Sequence, residues 1–74
     1  MPQDFAGKDL SNANLINADL PNADLTYANL TGADLTGANL EGARLESANL
    51  TGAKLTGSIM ENAYLVDANL TGAD

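Results

Sequence analysis

Ten carboxylates, three cations and two tyrosines are the ionisable side chains of this 74-residue chain, which contains neither histidine nor cysteine. Without those residues the chain lacks the commonest general base and metal ligand, and it has no means to form disulfides or thiolate metal sites. Among the carboxylates, Asp4 with Asp24 and Glu41 with Glu61 stand twenty apart, a spacing that a regular coil would convert into contact. Two flexible carboxylates supply too few oxygens for a calcium site. Asn29-Leu30-Thr31, Asn49-Leu50-Thr51 and Asn69-Leu70-Thr71 match the glycosylation sequon, but each is a by-product of a repetition that runs through the chain. No catalytic residue, cofactor or metal ligand is therefore expected.

The repetition itself is the informative signal. From Thr26 to Gly57 a triplet of Ala, a polar residue and Leu returns every five residues without a slip. Five residues on an α-helix advance about 500°, so the leucines would spiral around it. On a flat strand an odd spacing would send successive leucines to opposite faces. Both objections vanish if the chain turns a corner once per repeat, and four corners close a coil of about twenty residues. The large apolar centres are Phe5, Leu10, Leu15, Leu20, Leu25, Leu30, Leu35, Leu40, Leu45, Leu50, Leu55, Met60, Leu65 and Leu70, and they form the expected core. Two residues before each centre a small residue, usually Ala, faces the crowded interior. Two residues after it comes Gly, Asn or Ser, which suit a turn, with Tyr27 and Asp67 as exceptions. Gln3 and Lys8 take the small position in the first coil, where polar groups reach water at the open end of a stack.

The run ANLTGADLTGANL, and the A(D/N)LXX pattern generally, resembles the pentapeptide-repeat family over Gln3 to Asp74. That resemblance implies an all-β fold: a right-handed quadrilateral parallel β-helix (solenoid). It also implies a bacterial, often cyanobacterial, cytoplasmic setting. The chain is expected to be one domain, residues 1–74, with coils at 3–22, 23–42 and 43–62 and a partial coil at 63–74, about three and a half coils in all.

Stacking residues twenty apart gives four faces. The first carries Asp4, Asp24, Arg44 and Tyr64 beside Ala6, Thr26, Glu46 and Val66. The second carries Asp9, Asn29, Asn49 and Asn69 beside Ser11, Thr31, Thr51 and Thr71. The third sets Lys54 between Asp34 and Asp74, and the fourth stacks Asp19, Asn39 and Ile59 beside Pro21, Glu41 and Glu61. Arg44 and Lys54 thus interrupt columns of acids that would repel at strand spacing. Around TGSIMENAYLVDANL the pattern is disturbed, and Ile59, Tyr64 and Val66 stand outward as a candidate interaction surface, with Ile59 on a different face from the other two.

A net charge of −7 disfavours direct nucleic-acid binding and anionic membranes and permits basic partners. No apolar run reaches membrane length and no secretory signal is present. A side-chain-filled axis offers no catalytic pocket, so a non-catalytic structural or protein-interaction module with an unidentified protein partner is the expected function. The alternative is an acidic mimic of DNA that binds a type II topoisomerase or another DNA-binding protein, as some family members do. Against it, a rod of about 17 Å spans only about five base pairs, and the acids are scattered over all faces. An open coil end, with unpaired backbone and an apolar axis, predicts a homodimer through that end unless the chain is a fragment of a longer one.

Overall fold

The computed structural model describes residues 3–74, and among them the backbone is a parallel β-helix built from turns and single-residue bridges. Ten parallel bridges link residues twenty apart, from Asp4 with Asp24 to Asn49 with Asn69. Four turns separate each bridged pair, so the chain turns a corner once per repeat.

Each corner has the same cause. The carbonyl of every apolar centre accepts the N–H three residues on, at 2.9–3.2 Å, in all fourteen repeats from Phe5 to Leu70. The residue two after the centre lies at positive φ in all fourteen, between 58° and 71°. A three-residue closure with positive φ at its third position and not at its second is a type II turn, which favours Gly or Asn there. Pro21 fits the second position of its own turn, where a fixed negative φ is required.

Tyr27 occupies the left-handed position at φ 62°, although its Cβ is disfavoured there by about 1–2 kcal/mol. Replacing Tyr27 by glycine, after allowing for the entropy of the unfolded chain, is expected to stabilise the fold by about 0.5–1 kcal/mol, read as a higher urea midpoint. An unchanged midpoint would show that Tyr27 makes compensating contacts.

Between coils the hydrogen bonds repeat as well. The N–H of each centre from Phe5 to Leu55 and of each left-handed residue from Gly7 to Gly52 donates to the next coil, as in Leu30 to Asn49 and Gly32 to Thr51, and the residue before the centre donates back, as in Asn49 to Ala28. These bonds span 2.7–3.0 Å. With the turn bond they satisfy four of the five N–H groups in each interior repeat.

The inward residues divide as the two columns require. Leu25, Leu30, Leu35, Leu40, Leu45 and Leu50 are completely buried, and the alanines from Ala23 to Ala53 fill the small column beside them. Phe5, Leu10, Leu15, Leu55 and Met60 are partly buried against this core. Leu65 and Leu70 line the same axis but stay 37% and 41% exposed, because the last coil has a neighbour on one side only. Ser58 stands half-buried in the small column, and among the described residues no polar side chain is fully buried. No helix of the described residues is long and apolar enough to cross a membrane.

Candidate functional site

The N–H on the residue after the centre has no backbone partner, and in nine repeats the side chain of the residue before the centre supplies one. The Oδ1 of Asp4, Asp9, Asn14, Asp24, Asn29, Asp34, Asn39, Asn49 and Asn69 accepts the N–H two residues on, at 3.0–3.2 Å. Where Ser or Thr follows the centre, its hydroxyl donates to the same oxygen, as Thr26 does to Asp24 at 2.7 Å and Thr51 to Asn49 at 2.6 Å, except that Thr56, with Lys54 before its centre, donates to Asp74 at 3.4 Å. This accounts for the Asp or Asn at that position: a short side chain carrying an acceptor closes an Asx-type turn that longer side chains cannot. Asp19 confirms the rule from the other direction, since Pro21 offers no N–H, and Asp19 instead accepts a long 3.5 Å bond from Asn39 of the next coil.

The hydroxyl and amide donors stabilise the ionised carboxylates. Side-chain and backbone hydrogen bonds from Ser11, Thr26 and Thr36 hold Asp9, Asp24 and Asp34 below the ordinary carboxylate range, with small further help from Arg44 at Asp24 and Lys54 at Asp34. Depressed pKa values mean that the unfolded chain takes up protons first. The stabilisation is therefore complete above the unfolded pKa near 3.9 and is lost as pH falls through the lower folded values. Exchanging all three for asparagine keeps the acceptor and removes the titration. The triple variant is expected to match the parent at pH 7 and to show a shallower loss of thermal stability between roughly pH 4 and 2. Identical acid limbs would contradict this origin.

Besides Asp19, four outward positions lack the Asx bond, because the Asp or Asn itself is replaced: Arg44, Lys54, Ile59 and Tyr64. Each of these four gives up a local stabilising device in an otherwise uniform repeat. Arg44 and Tyr64 are bridged neighbours in one column, Lys54 is bridged to Asp34, and Ile59 to Asn39. Tyr64 and Val66 are 56% and 67% exposed on one side of the coil, and Ile59 is 45% exposed on the preceding side. The expected trio is thus exposed, and a pair of them shares a side.

Beside Tyr64 the sequence-level picture needed an addition. Arg44 is stacked on Asp24 as expected, but its Nε donates to Glu46, two residues away in the same repeat, at 3.5 Å. Thr26 engages the Asp24 Oδ1, and the hydrogen bond to Glu46 is the main cause that raises the Arg44 pKa, with a smaller contribution from the Asp24 charge. Arg44, Glu46 and Tyr64 line an open hollow of about 360 Å³. Nothing in it resembles a nucleophile with a base, and among the described residues no group of three acids is placed to hold a metal ion. Tyr27, 72% exposed at the end of this side in the coil below, was legible only as an odd residue at a turn.

The comparisons agree with this geometry. The family model for pentapeptide repeats (8 copies) matches residues 4–42 and 43–74, whereas no curated protein matches the chain. The chain is similar to the crystal structure of the pentapeptide repeat protein Rfr23 from the cyanobacterium Cyanothece 51142, with 42% identity and a TM-score of 0.75, over 96% of this chain and 53% of that one. It is similar also to alr5209 from Nostoc PCC 7120, with 43% identity and a TM-score of 0.62, over 97% of this chain and 64% of that one. A third similar structure is HetL, a Nostoc pentapeptide repeat protein involved in heterocyst differentiation regulation, with 39% identity and a TM-score of 0.59, over 95% of this chain and 39% of that one. The chain therefore spans between about two fifths and two thirds of the structures it resembles. With a twenty-residue register that never slips and a family match running from residue 4 to residue 74, the chain belongs to the pentapeptide-repeat family of right-handed parallel β-helices.

Proposed function

We propose that this chain is a non-catalytic protein-interaction module, built as a quadrilateral coil of about three and a half turns, with its contact surface on the side that carries Arg44, Glu46, Tyr64 and Val66. The observation that carries this reading is the cluster of departures from the Asx pattern, which falls within residues 44–64 and leaves Tyr64 and Val66 exposed beside Arg44. Tyrosine and arginine are the residue types that most often dominate binding energy at protein interfaces. A buried leucine axis and an open hollow supply shape for contact and no enclosed space for chemistry. HetL, in the same family, is involved in regulating differentiation, a role in keeping with contact between proteins. DNA mimicry is less well supported, because Ile59, Tyr64 and Val66 interrupt the acids on the very sides where a phosphate-like stripe would be needed.

Capture from a lysate of the source organism tests the reading. The parent protein and the Tyr64→Ser/Val66→Ser variant are immobilised side by side. A protein retained by the parent and lost by the variant is expected, and identical captured sets would refute the assigned surface. We also propose that the exposed axial residues Leu65 and Leu70 are covered, either by a second copy paired through this coil end or by further coils of a longer chain of which these 74 residues are a fragment. A sedimentation coefficient independent of concentration would count against the second copy.

A further inference from the structure

Summed along the bridged columns, the charge is unevenly placed. The side of Ile59 holds Asp19, Glu41 and Glu61 and no cation, and the next side holds Asp4, Asp24, Glu46 and Asp67 against Arg44. These two adjacent sides carry −6 of the net −7, and the other two, where Lys8 and Lys54 offset Asp9, Asp34 and Asp74, carry −1. Acids are scattered over all four sides one by one, but the net charge is not.

The exposed apolar groups follow the same division. Ile59, Tyr64 and Val66 lie on the acidic pair of sides, with Tyr27 at their far edge. Ile59 and Tyr64 are one repeat apart and flank the corner formed by Asn22, Gly42 and Asn62, so they belong to one surface folded around that corner. On the opposite sides, Ile16 is the exposed large apolar group that is not an axial leucine. The second side there is nearly uniform Asn and Thr, with each Thr hydroxyl from Thr31 to Thr71 turned inward onto its own Asn.

The carboxylates of Glu41 and Glu61 sit in one column without a cation, and among the described residues neither carboxylate makes a hydrogen bond or ion pair. Like charges at strand spacing repel, so a positively charged partner would relieve a strain that the chain itself leaves in place. Asp24 and Asp34 differ, since their oxygens are engaged by Thr26 and Thr36. Apolar anchors beside acids, of which Glu41 and Glu61 are uncompensated and Glu46 is held only by a long 3.5 Å pair with the exposed Arg44, are what a basic protein surface requires: the charges steer the approach and set specificity, and the desolvated apolar centre holds the complex.

We propose that the two acidic sides together form the docking surface for a basic protein segment, whose Lys or Arg residues meet Glu41, Glu46 and Glu61 while its apolar residues cover Ile59, Tyr64 and Val66. This deepens the interaction-module reading and rests on it. The test is fluorescence anisotropy with a labelled synthetic peptide of repeated Lys-Leu-Lys-Ser units, at about 0.15 M ionic strength, where long-range attraction is largely screened. The Glu41→Gln/Glu46→Gln/Glu61→Gln variant is expected to bind about tenfold more weakly than the parent, and Tyr64→Ser/Val66→Ser by a similar factor. The Asp9→Asn/Asp34→Asn/Asp74→Asn variant, which loses the same charge from the other two sides and keeps its turn acceptors, is expected to change by less than about twofold. Equal weakening by the two charge variants, or no effect of the Tyr64/Val66 variant, would overturn the proposal in favour of attraction by net charge alone. Failure of the parent to bind the peptide would overturn the basic-partner chemistry but not the module reading, which the lysate capture decides separately. Circular dichroism of each variant confirms that the coil is intact.

Discussion

Replacing Leu35 by alanine is expected to remove about 2–5 kcal/mol of stability, and replacing Leu70 by alanine less than about 1 kcal/mol. Leu35 is completely buried, and the coils above and below stack on it through Leu15 and Leu55. Its removal opens a cavity that an axis fixed by hydrogen bonds on every side cannot collapse to fill. A domain of this size has on the order of 5–10 kcal/mol in all, so the Leu35→Ala chain should lose a large fraction of its stability. Leu70 is already 41% exposed and has no coil above it. Urea titrations followed by far-ultraviolet circular dichroism would rank the two. Equal losses would mean that the last coil is covered as well as the second, by a second copy or another partner.

The opposite error, too much volume, is expected to be as damaging in the other inward column. Ala38 is completely buried, and its peptide is clamped between two coils: Asn39 donates to the Ala18 carbonyl at 2.8 Å and Ile59 to the Ala38 carbonyl at 2.9 Å. A leucine there has no void to enter, and it can be placed only by parting the coils or breaking those bonds. Ala38→Leu is expected to cost about 3 kcal/mol or more, at the upper end of overpacking effects. Lys8→Leu, in the same kind of position but on the exposed first coil, is expected to be tolerated within about 0.5 kcal/mol. A thermal melt of Ala38→Leu matching that of the parent would show that the small column is a preference and not a steric requirement.

Much of the fold was legible because a repeat amplifies weak local signals. One Ala-Asp-Leu triplet says little, but fourteen in register exclude both the helix and the flat strand, and the stacking of Asp24 under Arg44 or Asn29 under Asn49 then follows from counting. The turn residues were legible for the same reason, and even Tyr27 and Asp67, which break the composition, keep the left-handed backbone. There the cooperative ladder overrides the preference of one residue.

The candidate site was legible only in part. Ile59, Tyr64 and Val66 stood out because apolar groups at outward positions contradict the pattern. Glu46 did not stand out, since a glutamate on a surface is unremarked until Arg44 is seen to bond it. The reason for Asp or Asn before each centre was also hidden. It depends on the direction in which the N–H after the centre points, which is settled only when the corner is formed.

By itself, then, the amino-acid order determined the period, the inward columns and the twenty-residue register, because these follow from which side chains must avoid water and which residues can turn. The tertiary structure decided what the register could not. It showed that Arg44 pairs within its own repeat, that Asp24 and Asp34 are occupied by threonine hydroxyls, and that burial is complete only from the second coil into the third. The physical reason is directional. Hydrophobic burial is isotropic and can be counted along a chain, whereas hydrogen bonds depend on angles that exist only once neighbouring coils have closed on each other.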